Sequence, residues 1–395
     1  MKISIIIVNF NVKTYLSQCI DSVKRSIEGL DGEILVVDNN SNDGSVEWIQ
    51  QRFQNIKVIL NHSNTGFAKA NNQAIRLAKG EYILLLNPDT IIGENTLREV
   101  IQVMDQNPDV GGAGVRMLNS NGSFALESRR GIPTPFTAFC KMSGLGKLFP
   151  KSKSLGHYYL QYLDSNLITD IEIISGACMF IRRSTLQQVG MLDETFFMYG
   201  EDIDLSYRLL KTGMRNIYVP VNILHYKGES TKKGAYKYVN AFYQAMLIFY
   251  KKNFGSQGFW LSIPIKSAIY TKGLLEYIWL NCRKLTDRHD SLYFMRQKQF
   301  LLLGKGENLK KMIEKCSNNN IIYQSVSVTE EIIKHGHIAI EDSISNYDCI
   351  VYDMNLFSYE VMLEAFRITG NNKTSPMIAT YQSDADVIIT GSLIF

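Results

Sequence analysis

The chain opens on Ile3-Ser4-Ile5-Ile6-Ile7-Val8, a nearly unbroken apolar run of strand length. Such a run reads as a strand covered on both faces. Polar Asn9 and Asn11 follow at once without a small-residue cleavage site, which argues against a secretory leader. Over 13–27, Leu16, Ile20, Val23 and Ile27 recur at spacings of three and four, and this predicts a helix. The alternation continues with a strand over 33–38, a helix over 46–53 and a strand over 56–60. A helix over 68–79, stopped by Gly80, precedes a strand over 82–86. Strands alternating with helices predict an α/β fold with a parallel, doubly wound sheet. Its chemistry is expected beyond the C-terminal ends of the strands.

Residues 118–170 carry no clear period and are rich in Ser, Gly, Pro and Lys, as expected of a long loop over a site. Regular patterning resumes as a strand over 171–181, a short helix over 184–189, an amphipathic helix over 202–212 closed by Gly213, and a strand over 216–219. Residues 227–296 read as helical and aromatic. From Gln299 a second α/β pattern begins, with strands over 300–303, 321–328, 348–352, 377–380 and 386–389 and helices over 308–316 and 359–366. Three parts are therefore expected: a catalytic-size α/β unit over 1–226, a basic aromatic segment over 227–296, and a small Rossmann-like module over 297–395.

Charge sharpens those boundaries. Residues 1–226 hold 22 basic and 22 acidic side chains, 227–311 hold 16 and 5, and 312–395 hold 4 and 11. A middle block of net +11 calls for an anionic partner. The apolar stretch over 238–280 is broken by Lys251, Lys252, Lys266, Lys272 and Glu276, so it reads as a surface contact rather than a membrane span. With aromatics such as Phe249, Tyr250, Phe254, Phe259, Trp260 and Trp279 among its lysines, it suits an anionic membrane surface. The competing reading is a helical lid packed on the catalytic unit. A hydrophobic fraction of 45% against 20% charged excludes a disordered chain. The six cysteines form no C-x-x-C pair, which disfavours a disulfide scaffold or a zinc module. No nucleic-acid motif accompanies the basic block.

Four constellations carry candidate chemistry. Asp38 ends a strand before the turn Asn39-Asn40-Ser41-Asn42-Asp43-Gly44, where it could meet a nucleobase or simply make the turn. Asp89, in Leu86-Asn87-Pro88-Asp89-Thr90, is delivered to a sheet edge where it could hold a divalent cation or open a helix. Glu201, Asp202 and Asp204 open a helix behind an aromatic lead-in. They could offset the helix dipole or supply a general base. His225 ends an apolar strand, as an edge residue or a ligand.

Taken together with Ile5-Ile6-Ile7-Val8-Asn9-Phe10-Asn11, Asn64-Thr65-Gly66-Phe67-Ala68, Asn71-Asn72 and Ser175-Gly176-Ala177-Cys178, these residues resemble the family 2 inverting glycosyltransferases, in particular their rhamnosyltransferase-like branch. The resemblance covers residues 1 to about 250. It implies a GT-A fold that binds a nucleotide-sugar through Val8, Asn9, Phe10, Asp38, Asn64, Gly66, Asn71 and Asn87. It also implies Mg²⁺ or Mn²⁺ held by Asp89 and His225, and Asp202 as the base with Glu201 beside it. Asn87 stands where the family's D-x-D motif has its first acid, so one metal carboxylate is missing. The Q-x-x-R-W signature of processive synthases is absent, which implies single sugar addition. The implied donor is dTDP-rhamnose or a UDP-sugar, and the implied acceptor a glycan, in one form polyprenyl-diphosphate-linked. The implied location is the cytoplasm, at the inner face of the membrane. A nucleotidyltransferase and a non-catalytic nucleotide-binding scaffold are the competing readings.

Two smaller signals remain. Arg129-Arg130 could reach an acceptor phosphate or be solvated on a loop. Gly304-Lys305-Gly306-Glu307-Asn308-Leu309 resembles a dinucleotide fingerprint, but Leu309 replaces its last glycine. The tail module is accordingly read as a docking or regulatory unit.

Overall fold

The computed structural model describes residues 1–53, 55–227, 241, 244–255, 298–340, 344–370, 375–391 and 393–395. Strand β1 (Ile3–Asn9) is buried at every position. Ile3, Ile5 and Ile7 enter one apolar cluster, while Ile6 and Val8 enter another on the opposite face. Both faces are covered, which is why the run lacks polar alternation. The expected succession follows: α1 (Lys13–Ile27), β2 (Gly32–Asp38), α2 (Ser45–Arg52), β3 (Lys57–Leu60), α3 (Phe67–Ile75) and β4 (Tyr82–Leu86). β1 pairs in parallel with β2 and β4, and β2 with β3.

Beyond β4 the sheet departs from the all-parallel expectation. It continues through β5 (Thr90–Ile92), α4 (Thr96–Gln106), β6 (Val110–Leu118), α5 (Pro135–Met142) and α6 (Leu145–Leu148). Then come β7 (Thr169–Ile171), β8 (Cys178–Arg182), α7 (Arg183–Val189), α8 (Glu201–Lys211) and β9 (Arg215–His225). The strand order is β3-β2-β1-β4-β8-β6-β9-β5, with β7 on β9, and β8 runs antiparallel to both its neighbours. The fold is therefore mixed α/β. The single strand expected over 171–181 is two, because residues 172–177 leave the sheet to form part of a cavity wall. Strand β6 escaped the pattern because Gly111, Gly112 and Gly114 weaken its apolar signal. A Cβ on Gly112 would lie 2.6 Å from Ile174 Cδ1, so this strand trades side chains for close approach.

The second unit holds β10 (Gln299–Gly304), β11 (Ile322–Ser327), β12 (Cys349–Asp353), β13 (Met377–Gln382) and β14 (Val387–Thr390), in the order β11-β10-β12-β13-β14. Its first four strands are parallel and β14 is antiparallel. A Cβ on Gly304 would sit 2.4 Å from Met312 Cε, so this fingerprint glycine lets the following helix close onto its strand. The two units are not separate bodies. Val12, Tyr15, Ile91, Leu118, Leu224 and Tyr226 of the first share an apolar cluster with Leu301, Tyr352, Phe366 and Ile389 of the second.

Of the basic segment, 227, 241 and 244–255 are described, and 244–255 is helical. Phe249 and Tyr250 are buried against Phe196 and Ile203, with Phe254 packed beside them. These three aromatics of the expected membrane contact thus belong to the first unit's core. Phe259, Trp260 and Trp279 lie outside the described residues. Among the described residues no helix is long and apolar enough to cross a membrane.

Candidate active site

The ends of β1, β4 and β9, the 172–177 turn and the start of α8 converge on a cavity of about 460 Å³. Gly200, at φ +86°, turns the chain into α8 and aims Glu201 and Asp202 at the cavity. Asp204 faces away, held by Arg208 at 2.8 Å and Lys252 at 2.8 Å. The acidic cluster thus divides between a site and a structural clamp. Asp202 accepts from Arg130 at 2.5 Å and from the Gly176 N–H at 3.1 Å. Glu201 is buried, and its Oε2 has no hydrogen-bond partner among the described residues. Burial first, and then the neighbouring charge of Asp202, push the Glu201 carboxyl up to about 8.

Across the cavity stand Asn87, Asp89 and His225. The antiparallel register of β5 on β9 sets Thr90 opposite His225, and the Tyr226 N–H donates to the Asp89 carbonyl at 3.0 Å. His225 Nε2 consequently lies 3.4 Å from Asp89 Oδ1 and 3.4 Å from Asn87 Nδ2. His225 Nδ1 is buried without a partner among the described residues. A carboxylate and an imidazole this close fit a divalent cation that takes its remaining ligands from a substrate. No group of three or more His, Cys, Asp or Glu suited to a metal occurs among the described residues.

Val8, Phe10, Asn64 and Gly66 line the same cavity, as do Asn87, Asp89, Glu201, Asp202 and His225. Asn9, Asp38 and Asn71 do not. Asp38 lies behind the wall, accepting from Asn9 Nδ2 at 2.8 Å and from the Ser41 N–H at 2.8 Å. Its neighbour Asn39 reaches the cavity instead, bonded to the Gly66 carbonyl at 3.2 Å. Asn71 closes on its own helix, donating to the Phe67 carbonyl at 2.9 Å.

Sequence patterning missed Glu127, Lys141, Tyr158, Tyr159 and Lys227, all in the lining. Lys227 bonds Glu127 at 2.6 Å. Lys141 Nζ sits 3.9 Å from the centre of the Tyr158 ring. Only composition marked the loop that supplies most of them. The paired arginines are not solvated: Arg129 is buried and bonds the Leu163 carbonyl, while Arg130 grips Asp202 and the Ile174 carbonyl.

Residues 4–190 match the family model described as glycosyl transferase family 2. The N-acetylglucosaminyl-diphospho-decaprenol L-rhamnosyltransferase of Mycobacterium tuberculosis is 28% identical over 228 residues, spanning 55% of this chain and 73% of that protein. The rhamnosyltransferase WbbL of Escherichia coli is 27% identical over 219 residues, 52% of this chain and 79% of that one. Among solved structures, a mannosyltransferase from Pyrobaculum calidifontis aligns at TM-score 0.45 and 16% identity, over 73% of this chain and 76% of that one. The chain is a glycosyltransferase. Through residues 4–190 it belongs to family 2, on the rhamnosyltransferase-like side.

Proposed function

We propose that this enzyme transfers one sugar, with inversion, from a nucleoside-diphosphate sugar to a hydroxyl of a lipid-diphosphate-linked saccharide in cell-surface glycan synthesis. The observation that carries this reading is the single cavity with Asp89 and His225 on one wall and an arginine-held Asp202 on the other. The mycobacterial relative's name supports the acceptor class, and both rhamnosyltransferases support a deoxyhexose donor such as dTDP-rhamnose, with a UDP-sugar as the competing donor.

In the proposed arrangement the nucleoside lies against Val8, Phe10, Asn39, Asn64 and Gly66, with Asn9, Asp38 and Asn71 bracing that wall from behind. Asp89 and His225 would hold Mg²⁺ or Mn²⁺, which when bound offsets charge on the departing diphosphate. Asp202 takes the proton of the acceptor hydroxyl as its oxygen attacks the anomeric carbon from the face opposite the leaving group. The anomeric carbon–oxygen bond breaks, and the electron pair leaves with the nucleoside diphosphate. Arg130 keeps Asp202 aimed, and the Gly176 N–H fixes one of its oxygens.

The enzyme works in this reading at the cytoplasmic membrane face, where such acceptors reside. The test is calorimetric titration of dTDP-rhamnose and UDP-sugars with and without Mn²⁺, on wild type and on Asp89→Ala and His225→Ala. Metal-dependent donor binding, weakened about tenfold or more in each variant while free nucleoside still binds, is the expected result. Donor binding indifferent to metal and to both substitutions would refute the metal assignment, and binding of no nucleotide-sugar would favour the scaffold reading.

A further inference from the structure

Between Glu127 and Asp164 the chain carries six Lys or Arg and neither Asp nor Glu. Of the two arginines of this stretch Arg129 is buried and Arg130 is tied to Asp202, but Lys147, Lys151 and Lys153 stand exposed on the surface. Large apolar side chains are exposed among them. Phe136 is 55% exposed, Phe139 57%, Leu148 70% and Phe149 48%. On α5, Thr137 and Cys140 are buried, so Phe136 and Phe139, three residues apart, share the outer face with Met142. Scattered exposed apolar residues need no explanation, but a concentration on two adjoining short helices marks an interaction surface.

Charge selects the partner. Apolar side chains interleaved with unopposed lysines suit the boundary between headgroups and acyl chains of an anionic bilayer. Position supports the same partner. The helix that turns Phe136 and Phe139 outward also carries Lys141 on the cavity wall, beside Tyr158 and Tyr159. The exposed patch is thus the outer face of the active-site rim.

We propose that residues 135–153 form a membrane-seating lip that places the cavity mouth at the headgroup level of an anionic bilayer. The proposal deepens, and rests on, the reading of a lipid-linked acceptor. It assigns the contact to α5 and α6 rather than to the aromatics at 249–254, which are packed inside.

The test is flotation of the full chain with vesicles of phosphatidylglycerol and phosphatidylcholine, at low and high salt. Wild type should float at low salt and be largely released at high salt. Phe136→Ser with Phe139→Ser, and separately Lys147→Glu with Lys151→Glu and Lys153→Glu, should each lower recovery about tenfold. Their melting curves and transfer to a water-soluble acceptor should stay unchanged. Flotation of both variants like wild type would overturn the proposal and assign the contact elsewhere, with 228–297 the next segment to test. Absence of flotation by wild type would also overturn it, as would a dimer that the Phe variants dissolve. Flotation that follows these expectations in a protein binding no nucleotide-sugar would leave the lip standing and refute the transfer reading alone.

Discussion

Two adjacent carboxylates, Glu201 and Asp202, share one cavity but not one environment. Asp202 has a cation at 2.5 Å and a backbone donor, whereas Glu201 is buried with one oxygen unpartnered. Environments that separate neighbouring acids assign them different work. In the proposed mechanism Asp202, held by Arg130, acts as the base, and Glu201 stays protonated at neutral pH because burial and Asp202 raise it to about 8. Asp202→Asn should therefore cut transfer by about 10²- to 10⁴-fold while leaving donor affinity near wild type. Near-normal turnover would remove Asp202 from the role. Glu201 predicts a stability profile instead. Below its ordinary value of 4.5 it is protonated in both folded and unfolded chains, and its folded form costs nothing extra. Between there and about 8 the folded chain binds the extra proton, so stability falls as pH rises, by up to about 1.4 kcal/mol per pH unit. Glu201→Gln deletes that dependence, so the variant should gain on wild type in melting temperature from pH 5 to pH 8. A constant difference across that range would show the side chain ionised already.

Elements bring these residues together through a few close approaches. Gly66 opens α3 at φ +84°, and its Cβ, if present, would lie 2.5 Å from the Phe197 carbonyl oxygen. The next N–H, of Phe67, donates to that same carbonyl at 2.7 Å. The Asn64–Gly66 turn is thus keyed directly to the loop that leads into Glu201. Gly66→Ala should lose about 1–3 kcal/mol and depress transfer as well, because the added methyl group displaces that loop. Gly213→Ala carries the same φ of +84° into open space and should lose stability while sparing transfer. Equal losses of transfer in the two would reduce Gly66 to backbone strain alone. The same dependence on close approach explains what the sequence made legible. β1, β2 and β4 stood out because strands buried on both faces write continuous apolar runs. Asp89 and His225 were each visible at a strand end, but their 3.4 Å pairing comes from the β5–β9 register, which joins residues far apart in the chain. β6 was hidden by its glycines. Tyr158 and Glu127 were hidden because an irregular segment has no period to read, Lys141 because α5 is a short helix within it, and only tertiary packing carries them to the cavity.

At the scale of the whole molecule, α1 joins the first unit to the C-terminal one. One face of this helix, with Leu16, Cys19, Ile20 and Val23, packs on the first sheet. The other face meets the second unit. The Tyr15 hydroxyl donates to the Thr390 carbonyl at 3.0 Å, Gln18 bonds Thr380, Asp21 accepts from the Tyr359 hydroxyl at 3.0 Å, and Arg25 donates to the Met354 carbonyl at 2.8 Å. Glu94 adds a second joint, since its two oxygens accept the Tyr359 and Glu360 N–H groups at 2.9 and 2.7 Å and cap the helix Tyr359–Thr369 from the other unit. A backbone bond from the Ile378 N–H to the Ser120 carbonyl at 2.6 Å adds a third. Around these polar bonds lies the shared cluster of Tyr15, Ile91, Leu224 and Tyr226 with Tyr352, Phe366 and Ile389, all buried. Opening that contact would expose apolar surface on both units at once, at roughly 25 cal/mol per Å². The units should therefore unfold together, in one calorimetric transition whose van't Hoff and calorimetric enthalpies agree. Glu94→Ala should lower that single transition without splitting it. A chain ended at residue 297 should lose solubility, because Tyr15, Ile91, Leu224 and Tyr226 would face water. Two resolved transitions in the intact chain, or a soluble and cooperatively folded 1–297 fragment, would instead make the C-terminal unit an independent domain.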